Sequence, residues 1–463
     1  MAGIGFRLKR LLKEDAAGGW IRAHLYGAVV SSGPWLLSVV TLATLSVLAR
    51  TVVTDAAQDL FRSMVAYTYT FTLITTGAAQ MVVTRHLADE LFRGRQDALR
   101  PIYRWSVGAT AALHLLIAGL FYALAPELPW TLRVLGVALA VIVSCTWIAM
   151  IFVGALQDFT SVGRAFVVGS VASLVSALGL GRLAGPAGYV AGFALGQAAI
   201  FFVLSARIER EFPGESADEE WRLLRAFGRY PDLACAGLLY NVAIAIDRIV
   251  FWFSSAGWRI TSWLYGSIYD TALFLAYIST VPALAVFLVR VETDFYDAYR
   301  AYYGAVIKQG TLGQVLAAKA AMATSLRNSL RGLIQIQVPI TTLLVVIAPW
   351  MGPIVGLERA QVWIFRAAVV GAALHVFALF ETIILLYFDR RKLGVEMAAV
   401  FLVANGSLAV ASLWLGPRFY GFGYAIAALI TVCWGYRRLE QTFRDLEYLT
   451  FASQPLSPKI AEA

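Results

Sequence analysis

The sequence predicts an all-α integral membrane protein with about twelve transmembrane helices, arranged as two six-helix bundles around a central cleft. Three observations predict an integral membrane protein: 59% of the 463 residues are hydrophobic, only 14% are charged, and the mean hydropathy is +0.70. The apolar runs and charged segments along the chain predict the number of helices and the two halves. A soluble domain carries roughly 25% charged residues, so an ordinary soluble protein is excluded. The net charge of +9 is interpreted as charge that flanks a membrane, and no nucleic-acid partner is expected.

Long apolar runs recur along the whole chain, and most are close to the ~20 residues that a helix needs to cross a bilayer. The first run is too long for the apolar region of a signal peptide, so we expect it to be retained as a span. The twelve predicted spans are 24–49, 63–84, 102–125, 131–156, 164–183, 186–206, 233–254, 263–289, 333–350, 361–388, 394–415 and 418–436.

The basic residues predict the orientation of these spans. Most of the 38 lysine and arginine residues lie in alternate connections and in both terminal segments. Because basic loops stay on the cytoplasmic side of a membrane, both termini are predicted to be cytoplasmic. The segments that carry this charge are 1–22, 85–101, 157–164, 207–232, 290–332, 389–393 and 437–463.

The same segments divide the chain. Residues 207–232 are the most charged stretch and are interpreted as a cytoplasmic linker between an N-terminal bundle, 23–206, and a C-terminal bundle, 233–436. Residues 437–463 form a cytoplasmic tail. The basic segment 1–22 is either a short helix on the anionic leaflet or a plain basic flank.

An insertion, residues 290–332, interrupts the C-terminal bundle. Apolar residues follow its aromatic start at near-helical spacing, which predicts an amphipathic helix at the membrane surface or a docking site for a cytosolic partner. We interpret the aromatic residues as candidates for facing that partner. They are Phe295, Tyr296, Tyr299, Tyr302 and Tyr303.

Charged residues inside the spans are the main candidates for a functional site. Asp247 and Arg248 interrupt the apolar run 238–253, and each such charge costs roughly 2.5–3.5 kcal/mol on insertion scales. Counting along spans eight and ten places Asp270 and Arg366 at a similar depth. The four residues form either an ionic cluster that pins helices together or the polar lining of the cleft.

Three further polar residues inside the predicted spans are candidates, and Glu381 among them has no charged neighbour in the sequence. Glu381 lies in the inner half of span ten, where a lone carboxyl suits proton coupling or a neutral acid bonded to another helix. Asn241 in span seven is a candidate for interhelical hydrogen bonding or carbohydrate contact, as is Asn405 in span eleven.

No motif for catalysis or cofactor binding is present. The sequence lacks a phosphate loop, a zinc-protease motif and a nucleophile elbow, so we expect no enzyme and no cofactor. The cysteines, Cys145, Cys235 and Cys433, are far apart and lie in or beside apolar runs. We interpret them as packing residues, not as disulfide partners or metal ligands.

The opening of the chain closely resembles the PelG family. The matching stretches are residues 1–15, MAGIGFRLKRLLKED, and residues 31–37, SSGPWLL. The tyrosine-rich segment 295–303 and the DRRK turn at 389–392 are similar to that family too, so the resemblance covers essentially the whole chain. It implies a bacterial inner-membrane protein of the multidrug/oligosaccharidyl-lipid/polysaccharide exporter superfamily, whose cleft between two bundles alternates its access. The predicted cleft between two six-helix bundles is implied by this resemblance.

The resemblance also implies a function. It suggests export of an N-acetylated amino-sugar polymer from cytoplasm to periplasm, with a cytosolic Pel glycosyltransferase and other Pel inner-membrane proteins as partners. Two alternatives remain open. The protein could be a scaffold that activates the polymerase without transporting, or a flippase for a lipid-linked oligosaccharide. The family resemblance implies no functional residues. The candidates above therefore depend only on the cost of placing polar side chains inside a membrane.

Overall fold

The computed structural model describes residues 37–48, 52–156, 158–212, 214 and 219–452. The predicted basic segment 1–22 lies outside them. The N-terminal half (N-half) contains helices α1 (Leu37–Leu48), α2 (Asp55–Phe92), α3 (Leu99–Ala123), α4 (Trp130–Leu156) and α5 (Phe159–Glu211), with a 3₁₀ turn at Gln96–Ala98.

A connecting helix, α6 (Glu219–Arg229), leads to the C-terminal half (C-half). A π-helical turn, Val291–Phe295, and a 3₁₀ turn, Pro417–Phe419, interrupt this half, and a π-helical turn, Tyr448–Ala452, follows it. Its elements are α7 (Pro231–Ala243), α8 (Ile246–Trp252), β1 (Gly257–Arg259), β2 (Tyr265–Ser267), α9 (Ile268–Ile278), α10 (Val281–Arg290), α11 (Tyr296–Ile307), α12 (Leu312–Ile354), α13 (Arg359–Tyr387), α14 (Arg391–Leu415) and α15 (Phe422–Arg444).

Helices cover most of the described part of each predicted span. Predicted span eight (263–289) is different, because it begins just before β2 and becomes helical only at Ile268. Predicted span one (24–49) is described only over 37–48, and the count of twelve stays a prediction. Among the described residues, seven helices are long and apolar enough to cross a membrane, or up to nine if each of two bent pairs is one span. The side of the membrane that carries the basic loops, such as 85–101 and 389–393, is called the basic side below. The other is called the opposite side.

Helix α5 is a hairpin of two helices and not one rod. Its 53 residues would measure about 80 Å at 1.5 Å per residue, far more than the ~30 Å of hydrocarbon. The backbone leaves helical geometry at Ala184 and Gly185, and the positive φ of Gly185, 58°, favours glycine. The break falls between predicted spans five and six.

Small residues hold the two arms of this hairpin together. Ser176 Oγ donates to the Gly192 carbonyl across the hairpin at 2.7 Å. A Cβ at Gly192 would overlap the backbone of Ser176 and Ala177. The arms therefore pack backbone to backbone, as small residues allow in membranes, where no hydrophobic force draws helices together.

The insertion 290–332 differs from its predicted form. Residues 312–332 are continuous with predicted span nine in the 43-residue helix α12, which is about 65 Å long. They therefore extend the span beyond the membrane on the basic side instead of forming a separate helix along its surface. The physical reason is a strong helix start at Thr311, whose capping box with Gln314 begins one uninterrupted helix.

The aromatic block before α12 requires a correction. Phe295 and Tyr302 are 0% exposed and belong to a core formed by residues of α10–α15, so their side chains cannot face a partner. They are buried because the π-helical turn and α11 fold back onto α12. Tyr296, Tyr299 and Tyr303 are half-buried, and their role toward a partner stays a prediction.

Ion pairs join neighbouring helices on the basic side. Glu209 of α5 receives Arg100 Nε at 2.6 Å and Arg104 Nε at 2.9 Å from α3. The Arg104 guanidinium, followed by Arg100, holds the pKa of the Glu209 carboxyl below its usual range. In the C-half, Lys319 of α12 pairs with Glu447 at 2.6 Å. The side chains of these pairs are partly exposed, so holding their charges costs little desolvation.

We expect Gly192→Ala to lower the thermal stability of the purified protein, because the added methyl would push the arms of α5 apart. Overpacking of this kind costs typically about 1–3 kcal/mol. Gly179→Ala is the matched control in the same hairpin, since its Cβ would meet no atom within 4 Å. Tm measured in detergent checks this, and an equal Tm for both variants would contradict the proposed seam.

Candidate functional site

The site begins at a break in predicted span seven. Helices α7 and α8 meet at an angle of 43°, with Ile244 and Ala245 between them. A break leaves backbone carbonyls without helical partners, which is costly inside a membrane. Asn405 of α14, 0% exposed, donates from Nδ2 to the Ala243 carbonyl at 2.9 Å. This bond satisfies the broken end and fixes where α8 starts.

Asp247 occupies the first turn of α8 and is 1% exposed. Its Oδ2 accepts a hydrogen bond from the Tyr269 hydroxyl of α9 at 2.8 Å, and its Oδ1 accepts from the backbone N–H of Arg248 at 2.8 Å. The ring of Tyr269 lies parallel to Phe251, with centroids 4.3 Å apart. The carboxylate is therefore held by oriented donors and enclosed by aromatic rings, away from bulk water.

Asp270 lies in the first turn of α9, one residue after Tyr269. Its Oδ2 accepts from the Ser267 N–H and hydroxyl, both at 3.0 Å, in a capping box, and from Trp252 Nε1 at 2.8 Å. Its Oδ1 is buried and has no hydrogen-bond partner among the described residues. Asp270 thus fixes the start of α9 through Oδ2, while Oδ1 can still accept a hydrogen bond.

Arg248 supplies the positive charge of this group. It is half-buried and interacts electrostatically with both Asp247 and Asp270. Its Nε is buried without a hydrogen-bond partner in the described part of the chain. These three residues are called the acidic cluster below. Arg248 attracts both carboxylates, which repel each other, and no bidentate ion pair is present among the described residues.

Trp252 connects the acidic cluster to the N-half. Its indole N–H reaches Asp270, while its ring lies almost parallel to Tyr67 of α2, with centroids 4.3 Å apart and planes at 17°. Trp252 is 1% exposed and belongs to the same hydrophobic core as residues of α2–α5. The Trp252 side chain of the C-half thus contacts the buried Asp270 carboxylate and the N-half at the same time.

The strands β1 and β2 form a hairpin that lies against the N-half on the opposite side of the membrane. They pair antiparallel, with Trp258 across from Gly266. The Tyr265 N–H donates to the Tyr67 hydroxyl at 3.2 Å, and Trp263 Nε1 donates to the Leu124 carbonyl at 2.8 Å. This hairpin, residues 257–267, closes the two halves against each other next to the acidic cluster.

Helix α2 contacts the C-half from Tyr67 to Asp89. At mid-height Gly77 meets Gly237 of α7 so closely that a Cβ at Gly77 would lie 2.6 Å from the Gly237 carbonyl oxygen. On the basic side the Tyr230 hydroxyl donates to the Asp89 carboxylate. The halves therefore share one continuous seam, from Asp89 to Tyr67, in this structure.

The structure brings only some of the predicted site residues together. Asp247, Arg248 and Asp270 form one group, as predicted. Arg366 instead donates from Nε to the Val345 carbonyl of α12 at 2.7 Å, and its guanidinium lies 5.0 Å from the Trp363 ring centroid. The four-member cluster is therefore wrong for Arg366, because its position on α13 points toward α12.

Asn241 and Glu381 lie in two other places. Asn241 is buried at the α2–α7 seam beside Gly77, and its Nδ2 donates to the Gly237 carbonyl at 2.8 Å. Glu381 is 5% exposed and lines a groove between α12, α13 and α15, helices that pack on other parts of the C-half. Glu381 was expected in the central cleft, but the structure places it in this groove instead.

Several residues of the site could not be singled out from the sequence. Tyr269, Trp252 and Tyr67 are the partners of the acidic cluster, yet aromatic residues are frequent in this chain. The break at Ile244 and Ala245 contains neither glycine nor proline, the usual signals. In the described part of the chain, no group of three or more histidine, cysteine or acidic residues could hold a metal ion.

Comparisons with known proteins agree with this geometry. The sequence profile of the PelG family, described as "Putative exopolysaccharide Exporter (EPS-E)", matches residues 1–451. No curated protein sequence shows a significant similarity to the chain.

Solved transporter structures share the fold over nearly its whole length. The MATE transporter VcmN of Vibrio cholerae aligns with a TM-score of 0.61 at 13% identity, covering 96% of this chain and 98% of that one. An outward-facing multidrug resistance MATE transporter of the MOP superfamily gives 0.62 at 14% identity, covering 96% and 99%. A MOP superfamily transporter from Pyrococcus furiosus gives 0.59 at 13% identity, covering 96% and 99%. The two-lobed helical membrane fold is therefore confirmed.

We expect Asn405→Leu to destabilise the protein by about 1–3 kcal/mol, because the Ala243 carbonyl would be left buried without a donor. Ser407→Ala on the same helix is the control, since Ser407 is exposed and bonds only within its own helix. Thermal unfolding in detergent measures both. Equal stability of the two variants would show that the break does not need Asn405.

Proposed function

This chain belongs to the PelG family of exopolysaccharide exporters, and we propose that it moves a Pel-type polymer of N-acetylated amino sugars from cytoplasm to periplasm. Family and fold make it a multi-pass membrane protein of transporter type and not of enzyme type. The cargo and the direction of transport are the proposed parts. They agree with the basic side being cytoplasmic in a bacterial inner membrane, with both termini on that side.

The observation that carries this proposal is the double contact of Trp252. An exporter with alternating access needs an element that both halves share and that has two arrangements. Trp252 bonds to Asp270 and stacks on Tyr67, so any change in the charge or hydration of the acidic cluster acts directly on the contact between the halves. We infer that this contact opens and closes the opposite side during export.

We further propose that the acidic cluster couples export to an energy source. Asp247 and Asp270 are close enough to influence each other's charge, and a single arginine cannot neutralise both. Uptake or release of one proton or small cation would therefore change the net charge of the cluster. Intramembrane acids that lack a full ion pair commonly serve such relays.

A cytosolic Pel glycosyltransferase is the proposed partner on the basic side. The extension of α12, residues 312–332, projects beyond the membrane and packs against α11 to form a platform. Exposed side chains of that extension, Leu312 and Leu316, offer apolar contact area, and Tyr296, Tyr299 and Tyr303 lie beside it. Other Pel inner-membrane proteins are proposed to contact the chain within the bilayer.

A scaffold is the second candidate function, and the same platform favours it. In that case the chain would assemble and activate the polymerase without cycling. Reconstitution in vesicles with the glycosyltransferase separates the two. Polymer that enters the vesicle lumen supports export, whereas polymer that is made but stays outside supports the scaffold. Dependence of secretion on carrier-lipid supply would instead favour a lipid-linked flippase.

We expect Asp247→Asn and Asp270→Asn each to reduce polymer secretion, because either change removes a charge that couples the cluster to the Trp252 contact. A coupling of about 1–3 kcal/mol corresponds to a loss of about 5- to 150-fold. Asp59→Asn is the control, since the Asp59 side chain on α2 is half-exposed and pairs with the neighbouring Arg62 at 3.6 Å, away from the acidic cluster. Normal secretion by both cluster variants at normal protein level would exclude the proposed site.

We expect a reversible cross-link between Leu124→Cys and Trp263→Cys to stop export, because it ties the hairpin of the C-half to the N-half. The three natural cysteines are free and are replaced by alanine first. Arg259→Cys with Ser262→Cys is the matched control, since that link stays inside the hairpin. Export that continues under the Leu124–Trp263 cross-link would contradict opening at this contact, while leaving the family's role in export intact.

A further inference from the structure

A groove of about 560 Å³ opens on the outer surface of the C-half. Its walls are α12, α13 and α15, and it is called the lateral groove. Among the described residues, only C-half residues line the groove, so we place it toward the surrounding membrane and not at the seam between the halves. The lining residues are Leu330, Ile334, Phe377, Glu381, Val432, Cys433, Tyr436, Arg437 and Glu440.

The lateral groove crosses the boundary between hydrocarbon and headgroups on the basic side. Its deep residues, such as Ile334 and Cys433, belong to predicted spans. Its outer residues, such as Arg437 and Glu440, belong to the charged segment that follows span twelve. A site with apolar walls at acyl-chain depth and charges at headgroup depth matches the shape of a bilayer lipid.

The polar groups of the groove differ in the sign of their charge and in their depth below its mouth. Arg437 and Glu440 are both exposed at its mouth, one turn apart on α15. Glu381 lies deeper, is 5% exposed, and its Oε2 is buried without a hydrogen-bond partner among the described residues. Gly435 of α15 packs directly over this carboxyl, and any Cβ there would overlap it.

These charges discriminate between lipid headgroups. A phosphate is attracted to Arg437, but a headgroup with a net negative charge would be repelled by Glu440. A choline headgroup has no N–H to donate to a carboxylate, whereas a primary ammonium has three donors. The pattern of one cation, one anion and a deeper acid therefore fits a zwitterionic lipid with a primary amine.

We propose that the lateral groove binds one aminophospholipid, such as phosphatidylethanolamine, from the leaflet on the basic side. Its phosphate lies at Arg437 and its ammonium at Glu440, and one acyl chain lies along Ile334 and Phe377. Glu381, as a neutral acid, donates an O–H from Oε1, the oxygen that Gly435 does not cover, to an ester carbonyl of the lipid. The site does not depend on the cargo, and it would join α12 to α15.

The test uses the natural Cys433, which is exposed in the groove. With Cys145 and Cys235 replaced by alanine, Cys433 is labelled with a fluorophore and the full chain is placed in phosphatidylcholine vesicles. Brominated phosphatidylethanolamine, phosphatidylglycerol or phosphatidylcholine is then added as quencher. We expect the ethanolamine lipid to quench at about tenfold lower fraction than the other two, a difference of about 1.4 kcal/mol.

Three variants should remove this preference: Arg437→Gln, Glu440→Gln, and Ile334→Trp, which fills the groove at an exposed position and should leave folding intact. Glu381→Met should weaken it. Arg444→Gln is the matched control, because this exposed arginine lies on the same helix beyond the groove. Size-exclusion profiles verify folding.

Four results would overturn the proposal. Equal quenching by all three lipids would mean unselective boundary lipid, and stronger quenching by phosphatidylglycerol would mean simple attraction to the basic side. A preference that survives in Arg437→Gln, Glu440→Gln and Ile334→Trp would place the lipid elsewhere. Quenching by none of the lipids would mean that protein, such as a second copy of the chain, covers the groove.

Discussion

The cost of holding carboxylates away from water shapes the centre of this protein. A buried charge without partners costs several kcal/mol, and the cost is met only by donors at fixed positions. Asp247 and Asp270 obtain those donors from Tyr269, Ser267 and Trp252. Each donor comes from α8 or the start of α9, so the need to bond two carboxylates holds the two short elements and the hairpin between them in one arrangement.

Breaks in the helices make this arrangement possible. A straight helix would carry Asp247 past α9 with its backbone groups already paired. The bend between α7 and α8 moves the carboxylate into the first turn of a new helix, and Asn405 bonds to the carbonyl that the bend releases. Transport proteins commonly use interrupted helices to bring polar groups together at membrane depth. Here the interruption also brings Trp252 against the N-half.

The two groups of buried acidic residues differ in where their hydrogen-bond partners come from. The acidic cluster obtains most of its hydrogen bonds from within the protein, although Asp270 Oδ1 and Arg248 Nε have no partner among the described residues. It is tied to the contact between the halves, which suits the proposed export cycle. Glu381 Oε2 has no partner among the described residues either, and Glu381 lines the lateral groove and not the seam between the halves. The proposed export contact and the proposed lipid site thus use separate surfaces of the same bundle.

The sequence alone determined the positions of the helices along the chain. Apolar runs and basic loops are sufficient for this, because a membrane forces each segment to pair its own backbone groups and holds cations on one side. Depth could be read too, since residue spacing measures rise along a helix. Asp247, Arg248 and Asp270 were placed together on that basis.

Only the tertiary structure decided in which direction each side chain points around its helix axis. Arg366 and Glu381 have suitable depths, yet one points to α12 and the other to the lateral groove. Phe295 and Tyr302 are aromatic residues of a charged loop, yet they are buried. Span length and loop charge carry no information about which face of a helix meets its neighbour. That face is set by packing between distant segments, as where Gly77 meets Gly237 and Asn405 meets Ala243.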